Sequence, residues 1–335
     1  MNKPLSGDAS TRTSDALQPF QEWDGSTYYG RQQLKPWPFE PLVVGGYIFL
    51  AGLSGSSQIL ATIADATGRP ELEGAARRGR YLSLLAPTIG AALLIYDLHT
   101  PKRFYNMLRV AKATSPMSIG TWVLMSFSAC AFAAAAGQAG ADRWPKQAWM
   151  RGVAKTAGVP AALAGAGLST YTAALLSATS TPIWAAAPAS LAVRFGASSI
   201  AAGAAALALG EKDPAVRGKL DAVQATALAL EVLLAAMAQR RYRREGVHGA
   251  FDSIAGKVER IGATGLGVAL PLALLAGLSL MGRRPRALSA AAGIATLMGS
   301  ATLRVAMLSL GNVSAKRPEV SFRFSTPANL PDQQG

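Results

Sequence analysis

Apolar residues gather into eight long runs along the chain, separated by short polar segments. Each run holds about 20 residues, the number that an α-helix rising ~1.5 Å per residue needs to cross ~30 Å of hydrocarbon. The polar segments carry residues typical of helix ends and turns, such as Thr100-Pro101 and Asp213-Pro214. The runs that we predict to be transmembrane helices are 42–64, 81–98, 118–137, 153–178, 188–209, 220–239, 258–281 and 288–310.

This pattern predicts an all-α integral membrane protein, a bundle of about eight transmembrane helices with both termini on the same side. The composition agrees, because 50% hydrophobic residues, 16% charged residues and a mean hydropathy of +0.23 are unusual for a soluble domain. The parts that we expect are an extramembrane N-terminal arm 1–40, a transmembrane domain 41–311 and an extramembrane C-terminal tail 312–335. Frequent Ala, Gly and Ser within the runs predict close helix packing.

The formal net charge of +14 raises the question of nucleic-acid binding. However, Lys and Arg lie in the short segments between apolar runs rather than along one amphipathic face. They are better explained as headgroup anchors, so we expect membrane lipid and no nucleic acid as a partner. The two faces carry nearly equal numbers of Lys and Arg, and the positive-inside rule therefore leaves the orientation undecided.

Cysteine and histidine are scarce enough to limit the redox chemistry of the chain. Cys130 is the sole cysteine, which excludes an intrachain disulfide and a cluster held by several cysteines. The two histidines, His99 and His248, fall at or beyond predicted helix ends, whereas a haem within the membrane needs facing histidines inside helices. We therefore expect no haem and no iron–sulfur cluster in this chain, and a diffusible or partner-borne electron carrier.

Few charged residues lie inside the predicted helices, where each costs about 2.5–3.5 kcal/mol on insertion scales. Glu231 lies in the middle of the sixth run and Arg304 lies within the eighth. Three interpretations stay open: a structural ion pair between them, a proton path through Glu231, or no contact at all. Arg194, near the start of the fifth run, is expected to extend its side chain to the headgroups.

Four polar residues are predicted to lie in one leaflet. Asp97 and His99 end the second run, while the directions of the first and fourth runs carry Tyr47 and Tyr171 toward the same face. A carboxylate next to an imidazole at a membrane boundary can bind and protonate a small polar headgroup. The alternatives are a solvated helix end for Asp97 and His99, and interhelical hydrogen bonds or an aromatic belt for the tyrosines.

Several motifs follow one another in the first two thirds of the chain. They are YYGR at 28–31, FLAGLSG at 49–55, RFYNMLR at 103–109, TSPMSIGTW at 114–122, and YTAALLS at 171–177 with PIW at 182–184. In sequence and spacing these motifs resemble the NrfD/PsrC family, with good specificity from residue 28 to about 209 and more loosely to the eighth helix.

The resemblance implies a quinone-interacting membrane subunit of a polysulfide-reductase-like respiratory complex. Such a subunit has eight core helices and binds menaquinone or ubiquinone as an exchangeable substrate near the face where a four-cluster ferredoxin-like iron–sulfur subunit docks. That subunit is often joined to a molybdopterin catalytic subunit. The location implied is the bacterial inner membrane, with several membrane passes.

The resemblance also implies roles for individual residues. Tyr171 is similar to the tyrosine that hydrogen-bonds a quinone carbonyl, Tyr47 falls near a polar position of the same pocket, and Asp97 matches the acidic end of the second helix. The chain departs from the family at His99, where many members have Gly, and at Val44 and Gln58, which match no second quinone-binding amide. The residues implied to face the iron–sulfur partner are Tyr28, Tyr29, Arg31, Arg103, Asn106 and Arg109.

These observations together predict a quinone/quinol-binding subunit that has no catalysis of its own. Tyr47, Tyr171 and His99 would hold the quinone, Asp97 and His99 would exchange protons with it, and Asp97, Glu231 and Arg304 would form a proton path. One alternative is a purely structural anchor for catalytic subunits. Another is a secondary transporter, although the sequence has no convincing internal repeat of the kind that such transporters usually show.

Overall fold

The chain folds into a helical bundle, seen in a computed structural model that describes residues 34–37, 40–98, 101–282, 285–318 and 320–321. Within these ranges, eight helices are long and apolar enough to cross a membrane and no strand is present, which confirms the predicted fold class. The helices are α1 Pro41–Ala66, α2 Pro70–Tyr96, α3 Pro116–Arg143, α4 Ala148–Ser177, α5 Pro188–Leu209, α6 Pro214–Arg244, α7 Ile254–Leu280 and α8 Arg286–Lys316.

Most helices extend beyond their apolar runs into polar flanks, because proline and capping residues set their ends. Proline is well tolerated at the first position of a helix, because the backbone N–H that it lacks would have no partner within the helix there. Pro116 begins α3 after the capping residue Ser115, and Pro214 begins α6 after Asp213, whose carboxylate accepts from the Ala215 N–H at 2.8 Å. The last helix continues to Lys316, beyond the boundary expected at residue 311.

The largest difference from the predicted boundaries is in α2, which begins at Pro70 rather than at residue 81. Its polar first part includes the α-helix Glu73–Leu82, which buries Ala75, Ala76 and Gly79 while Arg77 stays exposed. Gly79 lies against the Ser57 backbone of α1, where a Cβ would collide. The segment is helical because one face carries small residues that pack closely, a signal that average hydropathy misses.

A π-helical turn at Ala86–Gly90 interrupts α2 before its last part, Ala91–Tyr96. Pro87 lies in this turn and cannot donate a backbone hydrogen bond. The adjacent Ala86 N–H donates to the Ser54 hydroxyl of α1 at 2.8 Å. A side chain of a neighbouring helix thus satisfies a backbone group within this irregular turn, as membrane helices require. The turn determines where the end of α2, and with it Asp97, meets the bundle.

Glycines bring several helix pairs into backbone contact, as the sequence predicted. Gly55 of α1 faces Gly165 of α4, and Gly267 of α7 faces Gly299 of α8. A Cβ at any of these positions would collide with backbone of the opposite helix. The largest apolar core lies beside these contacts and includes Phe127, Leu168, Trp184, Phe195 and Met307.

Substituting Gly55 by valine tests this packing. We expect Gly55→Val to lower the free energy of unfolding by about 1–3 kcal/mol or more, because the new side chain has to separate α1 from α4. Gly277→Val is the matched control, since no atom lies within 4 Å of a Cβ at position 277. Thermal unfolding in detergent measures both variants, and equal stability of the two would contradict the close α1–α4 contact.

Candidate functional site

A cavity of about 200 Å³ lies where the end of α2 meets the beginning of α1, the beginning of α3 and the last part of α4. Its walls are mostly apolar, with side chains such as Ile48, Leu94, Leu124 and Leu175. Met117 and Met125 of α3 belong to the wall and are also exposed at the outer surface, so the cavity reaches the lipid-facing side of the bundle. The polar residues in the wall are Tyr47, Asp97, Thr121, Tyr171 and Thr172.

Tyr171 enters the cavity from α4 and is fixed at its hydroxyl group. The hydroxyl donates a hydrogen bond of 2.6 Å to the carbonyl oxygen of Pro116, the first residue of α3. The ring lies over Gly120, one turn further along α3, and a Cβ at position 120 would overlap it. The position of Tyr171 therefore depends on a glycine in the opposite helix.

Tyr47 reaches the same cavity from α1 and is 8% exposed. Its ring lies next to Gly90, at the end of the π-helical turn of α2. The sequence placed Tyr47 and Tyr171 in one leaflet, and the fold brings both into the wall of one cavity.

Asp97 directly follows α2 and lies in the wall of the cavity. One carboxylate oxygen accepts a long hydrogen bond of 3.4 Å from the Glu40 N–H. The other, Oδ2, is buried and has no hydrogen-bond partner among the described residues. The hydroxyl of Thr172, in the same wall, is also buried without such a partner. Because buried polar atoms are normally hydrogen-bonded, two unsatisfied oxygens in one wall favour a polar ligand here.

Trp37 forms part of the cavity wall, and the sequence alone did not identify it. Its backbone N–H donates to the Asn312 side-chain oxygen of α8 at 3.0 Å, and its ring packs edge-on against Trp184 with centroids 5.1 Å apart. The aromatic residues and prolines before α1 indicated only an interfacial segment. Long-range contacts to α8 place this part of the N-terminal arm over the cavity.

The predicted docking residues of the segment after α2 lie beside the cavity on the exposed side. Arg103, Asn106 and Arg109 are exposed, while their neighbours Phe104, Met107 and Leu108 line the cavity. A partner bound to this segment would therefore be separated from the cavity by a single layer of side chains. Four other predicted site residues, Tyr28, Tyr29, Arg31 and His99, lie outside the described residues.

A second polar group lies deeper in the bundle, where α5, α6, α7 and α8 meet. Arg194 of α5 lies 3.8 Å from the Glu231 carboxylate and 2.7 Å from the Glu259 carboxylate. All three side chains are at most 3% exposed. Glu259 lies in the π-helical segment Val258–Ala269 of α7, which also places the Thr264 hydroxyl 2.9 Å from Arg194. Wide helical turns of this kind occur frequently at functional sites.

The structure corrects the expectation for Arg194 and decides against one of the three interpretations of Glu231 and Arg304, the ion pair between them. Arg194 does not extend to the headgroups, because the carboxylates of α6 and α7 compensate its charge inside the bundle. Arg304 is not ion-paired with Glu231 but donates to Ser198, Ser199 and Ser300 and to the Phe195 carbonyl, at 2.6–3.0 Å. The position of each residue along its apolar run predicted its depth in the membrane. It did not predict the direction in which the side chain points.

Comparison with known proteins agrees with the resemblance in the sequence. A search of curated protein sequences finds no match. The family model described as "Polysulphide reductase, NrfD" matches residues 31–315, which include nearly all of the eight helices and the residues Tyr47, Asp97 and Tyr171 of the cavity. Because this match covers most of the 335 residues, the chain is a membrane protein that belongs to the NrfD family.

Proposed function

We propose that the chain is the quinone/quinol-binding membrane subunit of a multisubunit respiratory oxidoreductase in the bacterial inner membrane. The observation that carries this proposal is the single cavity that joins Tyr47, Asp97 and Tyr171 within apolar walls. Membership of the NrfD family supports it, since members interact with quinones in oxidoreductase complexes.

The cavity suits a quinone in shape and chemistry. A quinone ring is flat and apolar, with two carbonyl oxygens that accept hydrogen bonds, and it carries a long hydrocarbon tail. Tyr47 supplies a hydroxyl donor, and the Tyr171 hydroxyl becomes a second donor when its proton turns from the Pro116 carbonyl to the quinone. The apolar walls suit the ring. The exposed methionines Met117 and Met125 provide an adaptable lipid-facing opening through which the tail can leave the cavity.

Asp97 is proposed to exchange protons with the quinone. Adding two electrons without protons would leave a doubly charged anion, which is very costly in a medium of low dielectric constant. The unpartnered oxygen of Asp97 can accept a proton from quinol, or return one when quinone is reduced. His99 stays a predicted participant in the same exchange and in binding the quinone.

The electrons are proposed to pass to or from a docked four-cluster ferredoxin-like iron–sulfur subunit, itself joined to a molybdopterin or other catalytic subunit. Arg103, Asn106 and Arg109 offer exposed polar groups for docking next to the cavity wall. NrfD-family subunits usually assemble with such partners. The distance between the cavity and the docked subunit has to be short, because the electron crosses from the quinone to a cluster outside the bilayer.

The buried group of Arg194, Glu231, Glu259 and Arg304 is proposed to take part in a deeper proton path. Its carboxylates lie inside the membrane, where ionisable groups are expensive and usually functional. Among the described residues no hydrogen bond links Asp97 to this group, so proton transfer between them would need an intervening group such as water.

Purification from native membranes tests the proposal directly. We expect the full chain to co-purify with a ferredoxin-like subunit and with a near-stoichiometric amount of extractable quinone. The identity of the catalytic subunit would then identify the terminal substrate. A lone chain without quinone would instead support a transporter, and a complex that exchanges no electrons with added quinone would support a structural anchor.

Gly120→Ala makes the test specific to the cavity. The added methyl group overlaps the Tyr171 ring, so we expect the variant to lose most of its bound quinone. Gly152→Ala is the matched control, because a Cβ at position 152 meets no atom within 4 Å. Quinone is extracted and quantified from both variants after identical purification. Equal quinone content in the two would count against binding beside Tyr171.

A further inference from the structure

A second cavity, of about 230 Å³, lies at the opposite end of α2 from Asp97. It is formed by the end of α1, the beginning of α2, the last part of α3 and the beginning of α4. It is much more polar than the first cavity. The charged and amide side chains that matter for its chemistry are Asp65, Arg69, Arg80, Gln138, Arg151 and Lys155.

Arg80 forms the floor of this cavity and is 3% exposed. Its guanidinium group contacts the Asp65 carboxylate and the side-chain oxygen of Gln138. The charge of Asp65 is therefore compensated within the chain. The Nε atom of Arg80 is buried and has no hydrogen-bond partner among the described residues.

The rim of the cavity carries an excess of positive charge. Arg69, Arg151 and Lys155 are exposed, and no described carboxylate lies within 4.0 Å of any of them. Arg151 and Lys155 are four residues apart on α4, a spacing at which like charges repel. Two of the described acidic residues line the cavity, and one of them, Asp65, pairs with Arg80. The three rim cations therefore face one other carboxylate, that of Glu73.

The neighbouring carboxylate of Asp142 is already engaged and does not neutralise the rim. It accepts from Arg77 at 2.8 Å, from the Tyr81 hydroxyl at 2.5 Å and from the Gln138 amide at 2.9 Å. These bonds engage both of its carboxylate oxygens, and Asp142 lines a neighbouring pocket that shares Gln138 and Arg151 with this cavity.

Two tryptophans indicate that the cavity lies at the level of the lipid headgroups. Trp144 and Trp149, between the end of α3 and the beginning of α4, are 52% and 65% exposed. Tryptophan at helix ends is typical of the membrane–water interface. Arg143, whose guanidinium lies 5.9 Å from the Trp144 ring, marks the same level outside the cavity.

We propose that this cavity binds the phosphate headgroup of an anionic phospholipid. Its rim cations Arg69, Arg151 and Lys155 can contact the phosphate oxygens, and Arg80 at its floor compensates Asp65, so that this carboxylate does not neutralise them. Basic pockets between transmembrane helices bind anionic headgroups in this way. The site is independent of the quinone cavity, since the two lie at opposite ends of α2.

Arg151→Gln/Lys155→Gln tests the proposal, with Arg143→Gln/Lys146→Gln as the matched control. Both pairs remove two exposed positive charges, but Arg143 and Lys146 do not line the cavity. Dioleoylphosphatidylglycerol is titrated into the detergent-purified full chain, and its binding is measured by native mass spectrometry. Dioleoylphosphatidylcholine serves as the zwitterionic comparison. Gel filtration confirms that each variant is folded and monodisperse.

We expect the wild-type chain and the control variant to prefer phosphatidylglycerol over phosphatidylcholine. In the cavity variant, affinity for phosphatidylglycerol should fall about fivefold for each charge removed, or about 25-fold in total. Equal losses in the two variants, or no preference for the anionic lipid, would overturn the proposal. Displacement of the lipid by millimolar inorganic phosphate would also overturn it, because the cavity would then be a site for a soluble anion.

Discussion

Replacing Arg194 with methionine is expected to lower the free energy of unfolding by about 3–5 kcal/mol, the largest effect on stability that we predict. The substitution keeps an unbranched side chain but removes the positive charge that Glu231 and Glu259 share. Both carboxylates are 2% exposed, so water cannot replace the lost partner. Thermal or denaturant unfolding of the detergent-purified chain measures the effect.

The control for this prediction neutralises the carboxylates as well. In Arg194→Met/Glu231→Gln/Glu259→Gln no uncompensated charge is left, and most of the lost stability should return. If the single and triple variants are equally unstable, the loss comes from packing rather than from unpaired charge. The triple variant also tests the proposed deeper proton path, because it removes both carboxylates while preserving the fold.

Replacing Tyr171 with phenylalanine is expected to slow quinone-dependent electron exchange by about 100-fold, the typical loss when one positioned hydrogen-bond donor is removed. The ring stays in contact with Gly120, whereas the hydroxyl that now donates to the Pro116 carbonyl is lost. The rate is measured in the complex purified from native membranes, with a water-soluble quinone analogue as substrate.

Tyr96→Phe is the matched control for this experiment. Tyr96 lies at the end of α2 but is 75% exposed and does not line the cavity, so the same chemical change there should leave the rate unchanged. Tyr171→Phe with an unaltered rate, in a complex that still assembles, would favour a structural anchor over a quinone-binding subunit. Reduced rates in both variants would point to a general effect on the membrane domain.

The beginning of α2 illustrates what hydropathy misses along the chain. Residues 70–80 carry several charges, and their average hydropathy predicts a loop. The segment is nevertheless helical because Ala75, Ala76 and Gly79 line one face and pack against α1. Arg80, in the same turn as Gly79, is thereby buried and becomes the floor of the polar cavity.

The sequence by itself determined that this protein crosses the membrane with eight helices, because each apolar run has to satisfy its backbone inside the bilayer. Together with the order of its motifs, it also determined the family and the leaflet shared by Tyr47, Asp97 and Tyr171. Only the tertiary structure decided that Trp37 joins their cavity, that Arg194 rather than Arg304 pairs with Glu231, and that Glu259 belongs to the same group. The physical reason is that position along a membrane helix determines the depth of a side chain. The rotation and packing of the helix determine which neighbour that side chain meets.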